Sequence, residues 1–181
     1  MTNQVESLEL DQNDAVLPER YRAALRGVGA TVTVITTAEG DERHCMVATA
    51  MTSVSLEPPV LMIAVNQSAS VHPAIQRRGA FAVNVLSAEH ASLGKAIAKA
   101  ARQDRFGVGL WRNSKHPDTV GIPYLEDIQS VIFCKLIQAV EHGTHTLFIG
   151  EVVDVLASET HNTRDPLLYC DGAYGRFTPI A

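Results

Sequence analysis

The sequence predicts a mainly β fold with inserted helices, most simply an antiparallel barrel that carries its helices at the periphery. Segments rich in β-branched residues, or with alternating apolar residues, recur along the 181 residues. Glycine- and proline-containing turns separate these segments, which follow one another too closely for repeated β–α–β crossovers. The length is enough for one ordinary domain and short for two.

The N-terminal end predicts a flexible acidic tail over residues 1–16, followed by a folded domain over residues 17–181. Pro18 suits the first turn of a short helix, because the N–H group that proline lacks would have no partner there. Tyr21 and Leu25 would share one apolar face of this helix.

Seven segments are predicted to contain strands, because each has β-branched, alternating or continuous apolar residues. They are 28–37, 46–55, 60–65, 80–86, 131–140, 146–156 and 167–169. The fifth and sixth form a long hairpin with its turn at Glu141–Thr144. A rigid break at Leu56–Pro59 excludes a helix at that point.

Two further helices are expected between the strands. Ser70 can cap a helix over Val71–Arg78, and Gly79 can end it. A helical stripe of leucine, isoleucine and alanine then ends near Asp104. Residues 107–123 are rich in glycine, proline and polar residues, and a connection of this length is commonly functional or mobile.

Charge and composition exclude several classes of protein. Asp plus Glu number 20 against 15 Lys plus Arg, which gives a net charge of −5 and argues against a nucleic-acid partner or a basic membrane surface. The apolar runs are too short to span a bilayer, and the first residues lack a signal-peptide pattern. Cys45, Cys134 and Cys170 lie far apart, which predicts a reducing, cytoplasmic setting.

Two segments combine small and hydroxyl-bearing residues. Ala48–Ser55 would let a flat ligand approach the backbone, with hydroxyl and N–H groups available for its polar edge. Asn66–Ser70 runs into a helix N-terminus, where free N–H groups and the helix dipole favour an anion. Taken by itself, each segment is more simply explained as a solvated strand edge or an ordinary helix cap.

Two other groups also have alternative interpretations. Arg105 and Phe106 can hold a phosphate and cover a ring, or they can complement a helix C-terminus and fill the core. His142 and His145 flank the predicted hairpin turn, where an imidazole can stack, hydrogen-bond or transfer a proton. Their spacing lacks a convincing third ligand, so we predict no metal site.

Seven ordered segments together resemble the short-chain flavin reductases, the flavin reductase-like domain family of two-component flavin monooxygenases. They are GVGATVTVITT, ATAMTSVSLEPPVLMIAVNQSASVHPAI, GAFAVNVL, DRF, GIPYLEDIQSVIFCKL, GTHTLFIGEVVDV and PLLYCDGAYGRF. The resemblance covers about residues 19–178. It implies an FMN-binding split β-barrel and a homodimer with the flavin near the interface. It also implies reduction of FMN or FAD by NADH or NADPH, with the reduced flavin passing to a partner monooxygenase.

The resemblance assigns five groups of site residues. The isoalloxazine ring is implied to lie on Thr49, Ala50, Met51, Thr52 and Ser53. The ribityl phosphate is implied to lie at Asn66, Gln67, Ser68, Ala69 and Ser70. Further flavin contacts are implied for Asn84, Arg105 and Phe106. The nicotinamide is implied to lie at Gly143, Thr144 and the catalytic His145, with Tyr169 and Tyr174 closing the pocket.

Two other functions stay open at this point. A split-barrel protein can bind flavin or haem without catalysis, since a fold does not fix a function. A hydrolase would use Cys45 as its nucleophile beside His44. The dinucleotide-binding, P-loop and Gly-x-Ser-x-Gly motifs are absent from the sequence. The residues do not choose between FMN and FAD, or between NADH and NADPH.

Overall fold

The computed structural model describes residues 16–157 and 165–180. Its helices are α1 (Leu17–Arg26), α2 (Val71–Arg78) and α3 (Ala91–Lys99). Its strands are β1 (Ala30–Thr31), β2 (Thr33–Glu39), β3 (Glu42–Ala48), β4 (Met51–Leu56), β5 (Pro59–Asn66), β6 (Ala80–Val85), β7 (Trp111–Asn113), β8 (Pro123–Leu125), β9 (Ser130–His142), β10 (His145–Ala157), β11 (Leu167–Cys170) and β12 (Ala173–Arg176). The predicted acidic tail falls almost wholly on residues 1–15, outside the described part of the chain.

Seven strands form one antiparallel sheet in the order β3-β2-β6-β9-β10-β5-β4. A second sheet has the order β1-β11-β12, and β7 pairs with β8. Short 3-10 turns occur at residues 88–90, 102–107 and 117–119. The predicted fold class, mainly β with inserted helices, is therefore confirmed.

The large sheet is strongly curved because its two edge strands are neighbours in sequence. Only Thr49 and Ala50 separate the end of β3 from the start of β4. In a flat sheet of seven strands these edges would lie about 29 Å apart. Three peptide units reach at most about 11 Å, so the sheet has to bend until its edges approach each other. Within the described residues no ladder pairs β3 with β4.

The core occupies both faces of this sheet. Every residue of β6 is buried, with Phe81 in the apolar cluster on one face and Ala82 in the cluster on the other. Helix α2 contributes Ile75 to the first cluster, and α3 contributes Ile97 to the second. The inserted helices thus cover the two faces of a sheet that would otherwise expose them.

The structure departs from the predicted elements in several places. The helix predicted to end near Asp104 ends at Lys99, the predicted strand 28–37 is divided between β1 and β2, and the predicted connection 107–123 contains β7. Helix α1 buries none of its residues fully; Tyr21 is 63% exposed, and Leu25 lines a cleft with Tyr169, so the predicted apolar face does not pack into the core. The segment 46–55 contains parts of two strands, because the Thr49–Ala50 connection divides it. Strand β12 carries no strand pattern of its own and is stabilised by pairing with β11.

Gly150 in β10 is packed so closely against its neighbours that any side chain at this position would collide with them. A Cβ atom there would lie 2.7 Å from Phe81 Cζ and 2.8 Å from Cys134 Cβ. Both neighbours are fully buried, so they have no room to move aside. A glycine is therefore required by packing at this position.

We expect Gly150→Ala to lower the free energy of unfolding by about 1–3 kcal/mol, the usual cost of overpacking a core. Urea denaturation measures this loss. Gly175→Ala is the matched control, since a Cβ at Gly175 would meet nothing within 4 Å. Equal losses in the two variants would contradict the packing explanation.

Candidate functional site

Three of the segments singled out by sequence meet at one end of the large sheet. We define the sheet corner as the segments Thr49–Ser53, Asn66–Ser70 and Gly143–His145. Strand β5 brings them together because it lies between β4 and β10. The segments are far apart along the chain, so the strand order is what makes them neighbours.

Backbone hydrogen bonds join the three segments directly. The Gln67 N–H donates to the Thr144 carbonyl at 2.9 Å, which continues the β5–β10 ladder by one step. On the other side of β5, the Ala64 N–H donates to the Ala50 carbonyl at 3.0 Å. The sheet corner is therefore built on a continuous hydrogen-bonded frame.

Strand β4 forms an open wall of the sheet corner. Among the described residues it pairs only with β5, so alternate backbone groups along its outer side have no strand partner there. The Thr52 and Ser53 side chains are exposed, and the Thr52 hydroxyl makes only a 3.4 Å bond to the Ser53 carbonyl. These groups can donate to the polar edge of a flat ligand.

The loop Asn66–Ser70 is ordered by its own side chains. The Asn66 Oδ1 atom accepts hydrogen bonds from the Ser68 N–H at 2.9 Å and the Ser68 Oγ at 2.7 Å, an Asx turn. Ser70 stands at the N-cap position of α2, as predicted, but its side chain makes no cap hydrogen bond. Its hydroxyl is therefore not committed to the helix.

The tip of the long hairpin presents His145. Gly143 and Thr144 form a two-residue turn, and Gly143 has φ +56°, a conformation that favours glycine. The Thr144 Oγ1 lies 2.9 Å from His145 Nδ1. The imidazole is exposed and held at Nδ1, and its Nε2 atom has no hydrogen-bond partner among the described residues.

His72 lies next to the sheet corner and has no role in the sequence interpretation. Its Nε2 atom is 2.7 Å from the Thr146 Oγ1, and its ring packs 5.2 Å from the Phe148 ring. Burial lowers the pKa of His72 below its ordinary value, which favours the neutral imidazole. A polar residue in the first turn of the helix after Asn66–Ser70 is the only sequence signal that points to it.

The structure places Asn84 inside the protein, away from the exposed groups of the sheet corner. Its side chain is fully buried. The Nδ2 group donates to the Val34 carbonyl at 2.8 Å and to the Thr36 Oγ1 at 3.1 Å, and Oδ1 accepts from the Leu125 N–H at 2.8 Å. Asn84 therefore joins β6 to β2 and β8, and its side chain is occupied by these bonds; the implied flavin contact stays a prediction, which these bonds do not favour.

Arg105 and Phe106 are not brought to the sheet corner. The Arg105 Nη1 donates to the Cys45 carbonyl at 2.7 Å, in the middle of edge strand β3. Phe106 packs 4.8 Å from the Trp111 ring and lies under the Arg43 guanidinium at 4.4 Å. Their contacts cover β3 and fill the space beside it, which matches the structural alternative.

Tyr169 and Tyr174 also lie away from the three corner segments. They face each other across the β11–β12 pair with ring centroids 5.6 Å apart. Tyr169 lines a cleft of about 300 Å³ beside α1, and Lys95 lies 5.4 Å above the Tyr174 ring. No contact among the described residues links them to the sheet corner.

The hydrolase alternative fails on the state of its nucleophile. Cys45 is buried, and burial raises the pKa of its thiol to about 11, so the reactive thiolate is scarce at neutral pH. His44 is buried on the same strand, close to Glu42 and Arg102, and burial lowers its pKa. Cys45, Cys134 and Cys170 are all free thiols.

Residues 16–157 and 165–180 contain neither a metal-binding cluster nor a membrane-spanning helix. No group of three or more His, Cys, Asp or Glu side chains is arranged to hold a metal ion in these ranges. No helix there is long and apolar enough to cross a membrane.

The fold and the sheet corner define a mainly β protein with an open strand edge, a serine-rich loop and an exposed histidine at one site. Residues 25–178 match the family model described as the flavin reductase like domain. The chain therefore belongs to the flavin reductase-like domain family, as its sequence motifs predict.

Relatives in sequence and structure agree with this membership. The chain is 41% identical to the reductase component of an FADH2-dependent resorcinol hydroxylase from Rhizobium sp., over 89% of this chain and 88% of that protein. It is 37% identical to the FMN reductase (NADH) RutF of Variovorax paradoxus, over 88% and 86%. The NADH:FAD oxidoreductase SgcE6 of Streptomyces globisporus superposes with TM-score 0.80 and 29% identity, covering 94% of this chain and 97% of that chain. A structure of SgcE6 contains NAD and FAD fragments.

We expect Asn84→Leu to destabilise the protein without changing flavin affinity. The substitution leaves the buried Leu125 N–H without its acceptor, which costs about 1–3 kcal/mol for each unpaired group. Urea denaturation measures the stability, and flavin fluorescence quenching measures the dissociation constant of the folded protein. A large rise in that constant at unchanged stability would support Asn84 as a flavin contact.

Proposed function

We infer that this protein is an NAD(P)H-dependent flavin reductase, which transfers a hydride from a nicotinamide to FMN or FAD. The observation that carries this function is the convergence of an open strand edge, a serine-rich loop and an exposed histidine at the sheet corner. Relatives named as FMN reductase (NADH) and NADH:FAD oxidoreductase support both the activity and NADH as the donor.

The residues of the sheet corner fit a flavin. Thr52 and Ser53 are exposed beside the small Ala50, so a flat ring can approach the β4 edge. Ser68 and Ser70 bring hydroxyl groups to the start of α2, which suits a phosphate. The three segments contain no Asp or Glu, so they place no negative charge against a phosphate.

The protein's part in the reaction is to bind, orient and stabilise charge. A bound flavin would supply the redox chemistry by accepting the hydride. Backbone N–H groups in Thr49–Ser53 would hold the polar edge of the ring and would stabilise negative charge there. His145 orients the nicotinamide, while Thr144 holds the imidazole at Nδ1. No nucleophile and no obligatory proton donor is needed.

The reduced flavin is supplied to a partner monooxygenase. A relative that is 41% identical is named as the reductase component of a flavin-dependent hydroxylase. A reductase that serves such a partner has to release its reduced flavin, and the exposed sheet corner is compatible with release.

The finer architecture is also part of the proposal. The curved sheet, with its edges meeting at Thr49–Ala50, supports a split β-barrel. The first helix begins at Leu17, which supports a tail over 1–16 and a domain over 17–181. The free cysteines support a cytoplasmic location.

A homodimer is supported by one face of the hairpin sheet. Neighbouring residues of β5 and β10 leave apolar side chains only partly buried on this face, whereas the opposite face of these two strands is core, and the adjacent Val140 of β9 is exposed. The partly buried residues are Met62, Ala64, Leu147 and Ile149. Light scattering is expected to give twice the chain mass of 19.6 kDa; a monomer mass would contradict the dimer.

The function is tested by anaerobic stopped-flow mixing of the protein with FMN or FAD and then with NADH or NADPH. We expect rapid bleaching of the visible flavin absorbance, and the faster pair identifies the cofactors. Tight flavin binding without bleaching by either nucleotide would instead indicate a non-catalytic flavin-binding protein.

We expect His145→Ala to raise the apparent KM for the nicotinamide about tenfold, the effect of one lost positioning hydrogen bond, with a smaller change in flavin affinity. His142→Ala is the matched control, because His142 is an exposed imidazole paired with His145 across the same hairpin. An unchanged KM in His145→Ala, or an equal rise in both variants, would remove this role from His145.

A further inference from the structure

His72 and Thr146 form a buried hydrogen bond directly behind the sheet corner. His72 is the second residue of α2, the helix that follows Asn66–Ser70. Its side chain is 7% exposed and Thr146 is fully buried, and their Nε2 and Oγ1 atoms are 2.7 Å apart. A short hydrogen bond between two buried side chains has a well-defined geometry, because neither group can exchange its partner for water.

The bond links the helix that follows the loop Asn66–Ser70 to the strand that begins at the hairpin tip. It does so through side chains, in addition to the backbone hydrogen bonds of the sheet. Thr146 directly follows His145 in β10, so the position of Thr146 determines where the hairpin tip lies. On the surface, the tip is tied to the loop by the Gln67 N–H and the Thr144 carbonyl. The His72–Thr146 hydrogen bond is a second connection, on the buried side, between α2 and the base of the hairpin tip.

The imidazole itself is held in place by its surroundings. The Phe148 ring packs against it at 5.2 Å with the planes tilted by 53°. Phe148 lies two residues beyond Thr146 on β10 and is fully buried. The ring of His72 therefore contacts the same strand at two points, which fixes both its rotation and its distance from β10.

We propose that His72 is a positioning residue for the nicotinamide: through Thr146 it fixes the hairpin tip with His145 against the loop Asn66–Ser70. This inference rests on the proposed function, because it takes His145 as the nicotinamide contact. Losing the bond lets the tip move relative to the loop. The nicotinamide is then held less well, whereas the β4 wall and the loop keep their own hydrogen bonds to β5.

The test compares Thr146→Val with Thr37→Val. Each replaces a fully buried threonine by a residue of the same shape and removes one short hydroxyl hydrogen bond. The Thr37 hydroxyl donates to the Ala80 carbonyl at 2.8 Å, on strand β2, which contributes no segment to the sheet corner. The two variants therefore share the stability cost and differ in what the lost bond positions.

We expect Thr146→Val to raise the KM for NADH about three- to tenfold, with kcat and the flavin dissociation constant within about twofold of the parent. Thr37→Val is expected to leave all three unchanged. His72→Leu should reproduce Thr146→Val, and His72→Gln, whose amide keeps a hydrogen-bonding group near the Nε2 position, should restore most of the affinity. The double variant His72→Leu/Thr146→Val should be no worse than either single variant, because both remove the same bond.

Hydrogen–deuterium exchange gives a readout that needs no turnover. Amides of residues 143–146 are expected to exchange faster in Thr146→Val and His72→Leu than in the parent and in Thr37→Val. Unchanged exchange at the tip, or a KM for NADH that moves equally in Thr146→Val and Thr37→Val, would overturn the inference. So would a His72→Gln variant as impaired as His72→Leu. If the parent protein fails to reduce flavin, the proposed function fails, and the exchange comparison still decides whether His72 fixes the tip.

Discussion

The two-residue connection between β3 and β4 is the constraint on which the rest of the structure depends. It joins β3 and β4, the two edge strands of the seven-stranded sheet. The sheet therefore has to curve until these two edges approach each other. Every residue of β6 in this curved sheet is buried, and helices α2 and α3 contribute apolar residues to the clusters on its two faces. The curvature also places the start of β4 beside the end of β5, where the loop and the hairpin tip emerge.

The two edges that meet at this connection are treated differently. Edge strand β3 is covered from outside, because the Arg105 guanidinium donates to its backbone at the Cys45 carbonyl. Edge strand β4 keeps exposed hydroxyl side chains and, in the described part of the chain, has only β5 as a partner. An uncovered edge invites unwanted pairing with other chains. That β4 stays open is consistent with a ligand occupying its outer side, and this open edge is what the proposed reductase uses.

Burial divides the histidines of this chain into separate roles. His145 is exposed at the hairpin tip and is held at Nδ1 by Thr144, so it can meet a ligand. His72 is buried and bonded to Thr146, so it can act only through the protein. His44 is buried beside Glu42 and Arg102, where burial lowers its pKa and keeps the imidazole neutral. The three residues share one chemistry, and solvent access decides which of them can touch substrate.

The sequence by itself determined the fold class, the positions of α2 and the long hairpin, and the segments that form the sheet corner. These features depend on local patterns: β-branched runs, capping residues and the glycine turn at Gly143. The motifs that resemble the flavin reductase family include the three corner segments, which is how these segments were identified. Local pattern did not separate β3 from β4, and it did not show that the apolar face of α1 stays outside the core.

Only the tertiary structure decided which polar residues face a ligand and which hold the core together. Asn84 and Thr52 are both polar residues within β segments, yet Asn84 is sealed between β6 and β8 while Thr52 lies on an open edge. In the sequence, His72 is one residue of a predicted short helix. In the structure its Nε2 atom lies 2.7 Å from the Thr146 Oγ1 atom of β10. The physical reason is that burial and hydrogen-bond partners are set by residues far away in sequence. The pattern of side chains along one strand does not show whether another strand, a helix or solvent will lie against it.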